Sequence, residues 1–360
     1  MSRRVHLVGS WPAATADDAM REMARRCGAF LNSMPDGETG ERGRWLANIA
    51  ESLRSHPDLD VRHDGHWTSY DDVLDFRVRR GHRLHDLDLG HVEPQRAGRL
   101  VLDELRREAA VPADVAFQVG LPGDLDLATF LIGRRGALRH RRAFTDALLD
   151  EIREIHAADG SEVVFQLEIP LELVLVATTP GPLRPAVARW LAAGVASLAR
   201  RAPTGARFGL HLCLGDLQHR ALAHPADAGP ATILANAIAA RWPRGRPLDY
   251  IHVPLAAGEE PPSLDPRAYE PLGRLRLPVG THLVAGFLHE RRSSEEHRSI
   301  LAAVESAVGH DVDVAASCGL GRRGHDAATA TVDRGVELCV VSAVTVPRAR
   351  AADAGSVASS

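Results

Sequence analysis

The chain has 360 residues, 45% hydrophobic and 25% charged, with a formal net charge of −4. That is the composition of a soluble globular protein with room for one large α/β domain or two small ones, and the charge offers no footing for nucleic acid or an anionic membrane surface. There is no charged-then-apolar leader and no apolar run near the roughly 18 residues of a membrane span, so the cytoplasm is the expected compartment.

All 43 basic residues are arginine. Chemistry that needs a lysine is thereby excluded: Schiff bases, covalent pyridoxal phosphate and the P-loop lysine. Cys27, Cys213, Cys318 and Cys339 are too few and too scattered for a disulfide framework, which leaves metal ligation or inert thiols.

In chain order, residues 4–9 read as a first strand closed by Ser10-Trp11-Pro12. A helix follows from Thr15 to about Cys27, with Asp17 and Asp18 in the first turn, where the helix dipole favours acids. Residues 29–33 read as a second strand, leading into Pro35-Asp36-Gly37-Glu38-Thr39-Gly40-Glu41-Arg42. That loop is either a solvated turn with a helix cap at Thr39 or Asp36, or a polar loop in which Asp36, Glu38 and Arg42 meet a substrate. Trp45 and Trp67 are candidates to line a pocket. Residues from about 50 to 110 are polar and read as an insertion of helices and loops.

Strands are expected at 115–120, 162–169, 207–216, 247–254, 281–288 and 311–317, and helices at 144–157, 182–202, 231–240, 294–308 and 326–341. The Ala/Ser/Gly-rich tail after Pro347 has the composition of a disordered segment. Eight strand-like runs, mostly separated by helices, describe a single-domain (β/α)8 barrel over residues 1–346 more simply than a doubly wound sheet. Ser10, Asp36, Glu168, Cys213, His252, His289 and Cys318 all fall at or just past the C-terminal end of a run, where barrel enzymes place their chemistry.

His211 and Cys213 are two apart on one run, so their side chains share a face. An imidazole beside a thiol is either half of a zinc site or a satisfied core histidine next to an inert cysteine. Cys318, at another strand end, offers the other half.

Taken together, Gly9-Ser10-Trp11-Pro12, Gln166-Leu167-Glu168-Ile169-Pro170, His211-Leu212-Cys213 and Cys318-Gly319-Leu320-Gly321-Arg322-Arg323 resemble the catalytic barrel of cobalamin-independent methionine synthase. The likeness extends to the superfamily that includes uroporphyrinogen decarboxylase and zinc-dependent thiol alkyltransferases. The resemblance implies a zinc ion on His211, Cys213 and Cys318 that activates a small-molecule thiol as a zinc-bound thiolate, onto which an alkyl group is moved from a donor. The family's fourth ligand is a glutamate; His252 stands at that strand end here and is the fourth-ligand candidate. The resemblance also implies a substrate contact from Ser10; Trp11, Gln166 and Glu168 are further substrate-binding candidates, Glu168 as a carboxylate for a substrate amine. Asp36, Glu38 and His289 are the catalytic candidates. Two other readings stay open: a zinc-independent decarboxylase of the uroporphyrinogen type, using Asp36 with Arg42, and a zinc- or ligand-holding barrel without turnover.

Overall fold

A computed structural model of the chain describes residues 3–344; the tail expected to be disordered lies outside the described residues. The elements in chain order are β1 (Val5–His6), α1 (Ala16–Cys27), β2 (Ser33–Pro35), α2 (Trp45–Leu53), β3 (Leu59–Asp64), β4 (Leu74–Val78), α3 (Val92–Arg107), β5 (Ala116–Pro122) and α4 (Asp124–Asp159). They continue with β6 (Val163–Glu168), α5 (Pro170–Thr178), α6 (Arg184–Arg201), β7 (Arg207–His211), α7 (Gly229–Ala239), β8 (Leu248–Pro254), β9 (His282–Leu288), α8 (Ser294–Val308), β10 (Asp313–Ala316) and α9 (His325–Val344).

Eight strands form one parallel sheet in the order β1-β10-β9-β8-β7-β6-β5-β2, and a single parallel bridge between Val5 and Leu31 brings its two edges together. The result is the expected (β/α)8 barrel. The antiparallel pair β3–β4 stands apart from it, inside the insertion after β2. Of the helices among the described residues, none is long and apolar enough to cross a membrane.

Two-residue alternation sorts the side chains. On β6, Val163, Phe165 and Leu167 point outward into the main apolar core, each burial contributing roughly 1.5–3 kcal/mol. Val164 points inward and joins Ala116, Tyr250, Val284 and Ala315 in a small apolar layer inside the barrel. The next inward residues on β6 are Gln166 and Glu168, so the interior turns from apolar to polar toward the C-terminal mouth. Gly209 makes this packing possible, because a Cβ there would lie 2.0 Å from the Tyr250 ring.

Above the apolar layer, Tyr250 donates its hydroxyl to Gln166 Oε1 at 3.0 Å, and His6 Nε2 reaches the same oxygen at 3.0 Å. Gln118 Nε2 donates to the carbonyls of Leu7 and Val8, and Gln166 Nε2 to that of Val8. This network ties the short β1 to β5 and β6 and fixes the floor on which the site stands.

Candidate metal centre and substrate site

His211 is the last residue of β7 and Cys213 follows it by two, both directed into the barrel; Cys318 follows the end of β10 by two. One donor atom from each of these three residues lies within 4.8 Å of the other two, and the two Sγ atoms are 3.8 Å apart. Two soft sulfurs and an imidazole at such spacing match the donor set that zinc takes.

The electrostatics of the trio are strongly coupled. The hydrogen bond from Cys318 holds the Cys213 thiol well below the ordinary thiol range, against burial and with help from His211. The same bond, together with burial, pushes Cys318 well above it. Burial works against charge on His211, but Cys213, Glu168 and Asp216 outweigh it and raise its pKa. Both shifts favour a thiolate at Cys213 over one at Cys318, beside an imidazole adapted to negative charge.

His252, expected as a fourth donor, lies outside this cluster. It pairs with His211 across the β7–β8 register, and its Nδ1 is 2.7 Å from His211 Nδ1 while its Nε2 is 2.9 Å from the carbonyl of Ala316. Both ring nitrogens are therefore engaged. Burial, with the imidazoles of His211 and His6, keeps it well below the ordinary histidine range and hence neutral.

Two carboxylates face each other beside the trio. A Cβ on Gly120 would lie 2.8 Å from Glu38 Oε1 and 3.1 Å from Glu168 Oε1, and one on Gly9 would lie 2.5 Å from Glu38 Oε1. Burial, the Glu168 charge and the Asp36 charge push Glu38 up to about 8. Burial also raises Glu168, with Cys213 adding to it against the pull of His211. Gln166 does not face the cavity; it donates to Glu168 Oε1 at 3.0 Å and so orients that carboxylate.

The other expected residues are placed as follows. Asp36 is buried and pairs with Arg42, and its Oδ1 accepts the N–H of Glu38 at 2.9 Å, which sets the Glu38 backbone. Ser10 accepts the N–H of Gly321 at 3.2 Å and its carbonyl accepts that of Leu320 at 2.8 Å, so it anchors the turn that carries Cys318. Trp11 is turned to α1: its ring is buried and its indole N–H donates to Glu22 at 3.1 Å. His289 is fully buried at the end of β9, where its Nδ1 accepts the N–H of Arg291 at 3.1 Å; it is not among the residues lining the cavity at the thiols.

That cavity opens over Cys213, Cys318 and Glu168. Its walls are Trp45, Trp67, Tyr70 and Phe130, with Asp216 and Arg322 beside the thiols. Asp216 accepts from Arg322 at 3.3 Å, and Tyr70 Oη accepts the N–H of Leu217 at 3.0 Å. The insertion is thus a wall of the site. The sequence alone assigns no role to Tyr70, Phe130, Asp216 or Arg322.

In fold the chain resembles solved (β/α)8 barrels, at low sequence identity. It is similar to a B12-independent methionine synthase from Shewanella sp. W3-18-1, solved in complex with selenomethionine, at 15% identity over 96% of this chain and 100% of that one, with a TM-score of 0.61. It also matches a putative vitamin-B12-independent methionine synthase from Listeria monocytogenes (12% identity, 95% and 99% covered, TM-score 0.49) and a methyltransferase from Methanosarcina mazei (13%, 94% and 94%, 0.49). No family model matches the chain, and no curated protein matches it.

Proposed function

We propose that the protein is a zinc-dependent transferase that moves an alkyl group onto the sulfur of a small amino-thiol. The observation that carries this reading is the convergence of the His211, Cys213 and Cys318 donor atoms within 4.8 Å, at the mouth of the barrel. When bound there, zinc supplies Lewis acidity that keeps a coordinating thiol deprotonated at neutral pH. His211, Cys213 and Cys318 would hold it, with His252 behind His211.

Glu38 and Glu168 suit the substrate's amine. A buried carboxyl pair in which the Glu168 charge helps to hold Glu38 protonated is relieved by an ammonium between them, which turns a repulsive pair into two charge-assisted hydrogen bonds. Ser10 anchors the Cys318 turn, its hydroxyl accepting the Gly321 N–H. The aromatic walls exclude water and would seat the alkyl donor next to the sulfur. In the transfer, the S–H bond is lost first, its proton passing to solvent. The sulfur lone pair then forms the new S–C bond, and the donor's leaving group departs with its electron pair. Fixing both partners in one dry cavity supplies the orientation on which such a displacement depends.

The test is elemental analysis of the purified protein, followed by a thiol screen with alkyl donors. About one zinc per chain and alkylation of an amino-thiol are expected. Protein prepared without chelator yet free of metal sinks the zinc reading, and zinc-loaded protein that alkylates none of the thiols sinks the transferase reading.

A further inference from the structure

We infer that His252 is a positioning residue, not a ligand: it accepts the Nδ1–H of His211 and fixes His211 in the tautomer whose bare Nε2 faces the two cysteines. The inference rests on the metal-site reading above for its consequence, though not for its geometry.

The argument starts from a backbone carbonyl. Ala316 O carries no proton, so the 2.9 Å contact requires His252 Nε2 to be the donor. In a neutral imidazole the other nitrogen is then a bare acceptor. His252 Nδ1 lies 2.7 Å from His211 Nδ1, so His211 Nδ1 carries the proton. A neutral His211 protonated at Nδ1 leaves Nε2 with its lone pair exposed. The direction of every proton in the relay is thus set from Ala316, which lies two residues before Cys318 on the same strand end. The strand that supplies one ligand also anchors the orientation of another.

His252 is held in this role by its seat. It is fully buried, its ring centroid is 4.7 Å from that of His211 and 5.9 Å from that of His6. A Cβ on Gly286 of β9 would lie 2.4 Å from His252 Nε2 and 2.8 Å from its Cε1, so the ring occupies the space that only a glycine leaves. Rotating His252 toward the cysteines would break both hydrogen bonds. It would strand the Ala316 carbonyl and the His211 N–H in a dry interior, and each such orphan is costly.

The consequence concerns the metal's coordination. Histidines that bind metals donate their second N–H to an acceptor that fixes ring and tautomer. Here that acceptor is a second histidine, standing where the resembled family places its fourth ligand. The described residues then offer three protein donors, the arrangement of a catalytic zinc with a position left for substrate. Such a site would leave a position for a substrate sulfur beside the three protein donors.

The test begins on metal-free protein labelled with 15N-histidine. Long-range 1H–15N correlations are expected to show His211 protonated at Nδ1 and His252 at Nε2. Zinc affinity is then measured by chelator competition in His252→Leu and His252→Gln. Leucine, which removes the acceptor, is expected to cost about 10–100-fold. Glutamine is expected to recover most of that loss, since its carbonyl accepts from His211 and its amide donates to Ala316. X-ray absorption on zinc-loaded wild type and His252→Gln is expected to show one imidazole and two sulfurs in both. A wild-type His211 protonated at Nε2 alone, with no proton on Nδ1, or the loss of an imidazole from the zinc shell in His252→Gln, overturns the inference. Should His252→Leu fail to fold, the wild-type spectrum and the glutamine variant decide it. Wild-type protein that binds no zinc defeats the metal reading alone, because the tautomer is read without metal.

Discussion

The hydroxyl of Ser10 fills the space that a side chain on Gly319 would need: a Cβ there would lie 2.2 Å from Ser10 Oγ. The end of β1 and the turn carrying Cys318 are keyed together by that missing methyl. Gly319→Ala is expected to push the turn off β1, costing roughly 1–3 kcal/mol as overpacking does and weakening zinc binding through the displaced Cys318. Ser10→Ala removes the acceptor for the Gly321 N–H, at about 0.5–1.5 kcal/mol, and should keep its zinc. Thermal melts and zinc titrations of the two variants check this. A Gly319→Ala protein with wild-type zinc affinity would show that the turn tolerates displacement.

The four cysteines divide by environment. Cys213→Ser and Cys318→Ser should each lose most of the zinc. Cys27 and Cys339 are buried in α1 and α9, and burial raises the pKa of both, Cys339 to about 12. The Cys27 thiol donates to the carbonyl of Met23 at 3.2 Å, a helical contact far from any ligand role. A Cys27→Ala/Cys339→Ala double variant that folds is therefore expected to hold zinc like the wild type; metal analysis that finds it empty refutes the division.

Glu38 gives a pH dependence whose sign is fixed. Its carboxyl is raised from an ordinary 4.5 to about 8. Between those values the folded protein keeps a proton that the unfolded chain has released, so this group makes stability fall as pH rises through the window. Glu38→Gln cannot ionise, so its melting temperature relative to wild type should climb from pH 5 to pH 8. A flat difference across that range would mean that Glu38 titrates normally. The same carboxyl should ionise when an ammonium binds. At pH 6.5 an S-alkylated amino acid, which has no thiol proton to lose, should release a proton on binding, whereas its des-amino analogue should not. Calorimetry in buffers of different ionisation enthalpy separates the two.

Much of the fold could be inferred from local signals, and its failures have local causes. The expected helix at 294–308 coincides with α8, because Ser293 and Glu296 form a capping box at its start and Gly309 ends it with φ 81°. The second strand was expected at 29–33, but Gly28–Phe30 tighten into a 3-10 turn and β2 is Ser33–Pro35. α5 is apolar on nearly every face and so lacks the periodicity that marks a helix. The first half of α4 was missed because Gly133, with φ 69°, breaks it. The β3–β4 hairpin was hidden by its charges: Arg62 pairs with Asp75 across the strands, and only Leu59, Leu74 and Phe76 among its apolar residues are buried.

The candidate site divides in the same way. His211 and Cys213 announce themselves by two-residue spacing, and Cys318 by its place after a strand. The approach of Glu38 to Glu168 across Gly9 and Gly120, and the part of Tyr70 in the cavity wall, depend on how the barrel closes and where the insertion folds back. No local pattern carries that information. The engagement of His252 with His211 belongs to the same class: the strand-end position was legible, but the direction of the ring is set by Gly286 and Ala316 on two later strands.

The thiol pair itself supplies the last expectation. In metal-free protein, Cys213 is held low by the hydrogen bond from Cys318, while Cys318 is held high by the same bond. One thiolate should therefore be present at pH 7, reactive in proportion to its ionised fraction. Both sulfurs line the cavity, so a small alkylating reagent such as iodoacetamide reaches them. The folded metal-free protein is expected to take up one equivalent rapidly at Cys213, at a rate that hardly changes between pH 7 and 9. Cys27 and Cys339 should react only on unfolding. Cys318→Ala removes the donor that stabilises the Cys213 thiolate, so the rate at pH 7 should drop and regain a tenfold rise per pH unit below the thiol's new pKa. Zinc should protect both sulfurs, linking the reactive thiolate to the metal site. Peptide mapping by mass spectrometry assigns the modified residue. If the wild-type pair reacts at pH 7 no faster than an ordinary thiol, with a full pH slope, the Cys213 thiolate is not favoured and the electrostatic account of the site is wrong.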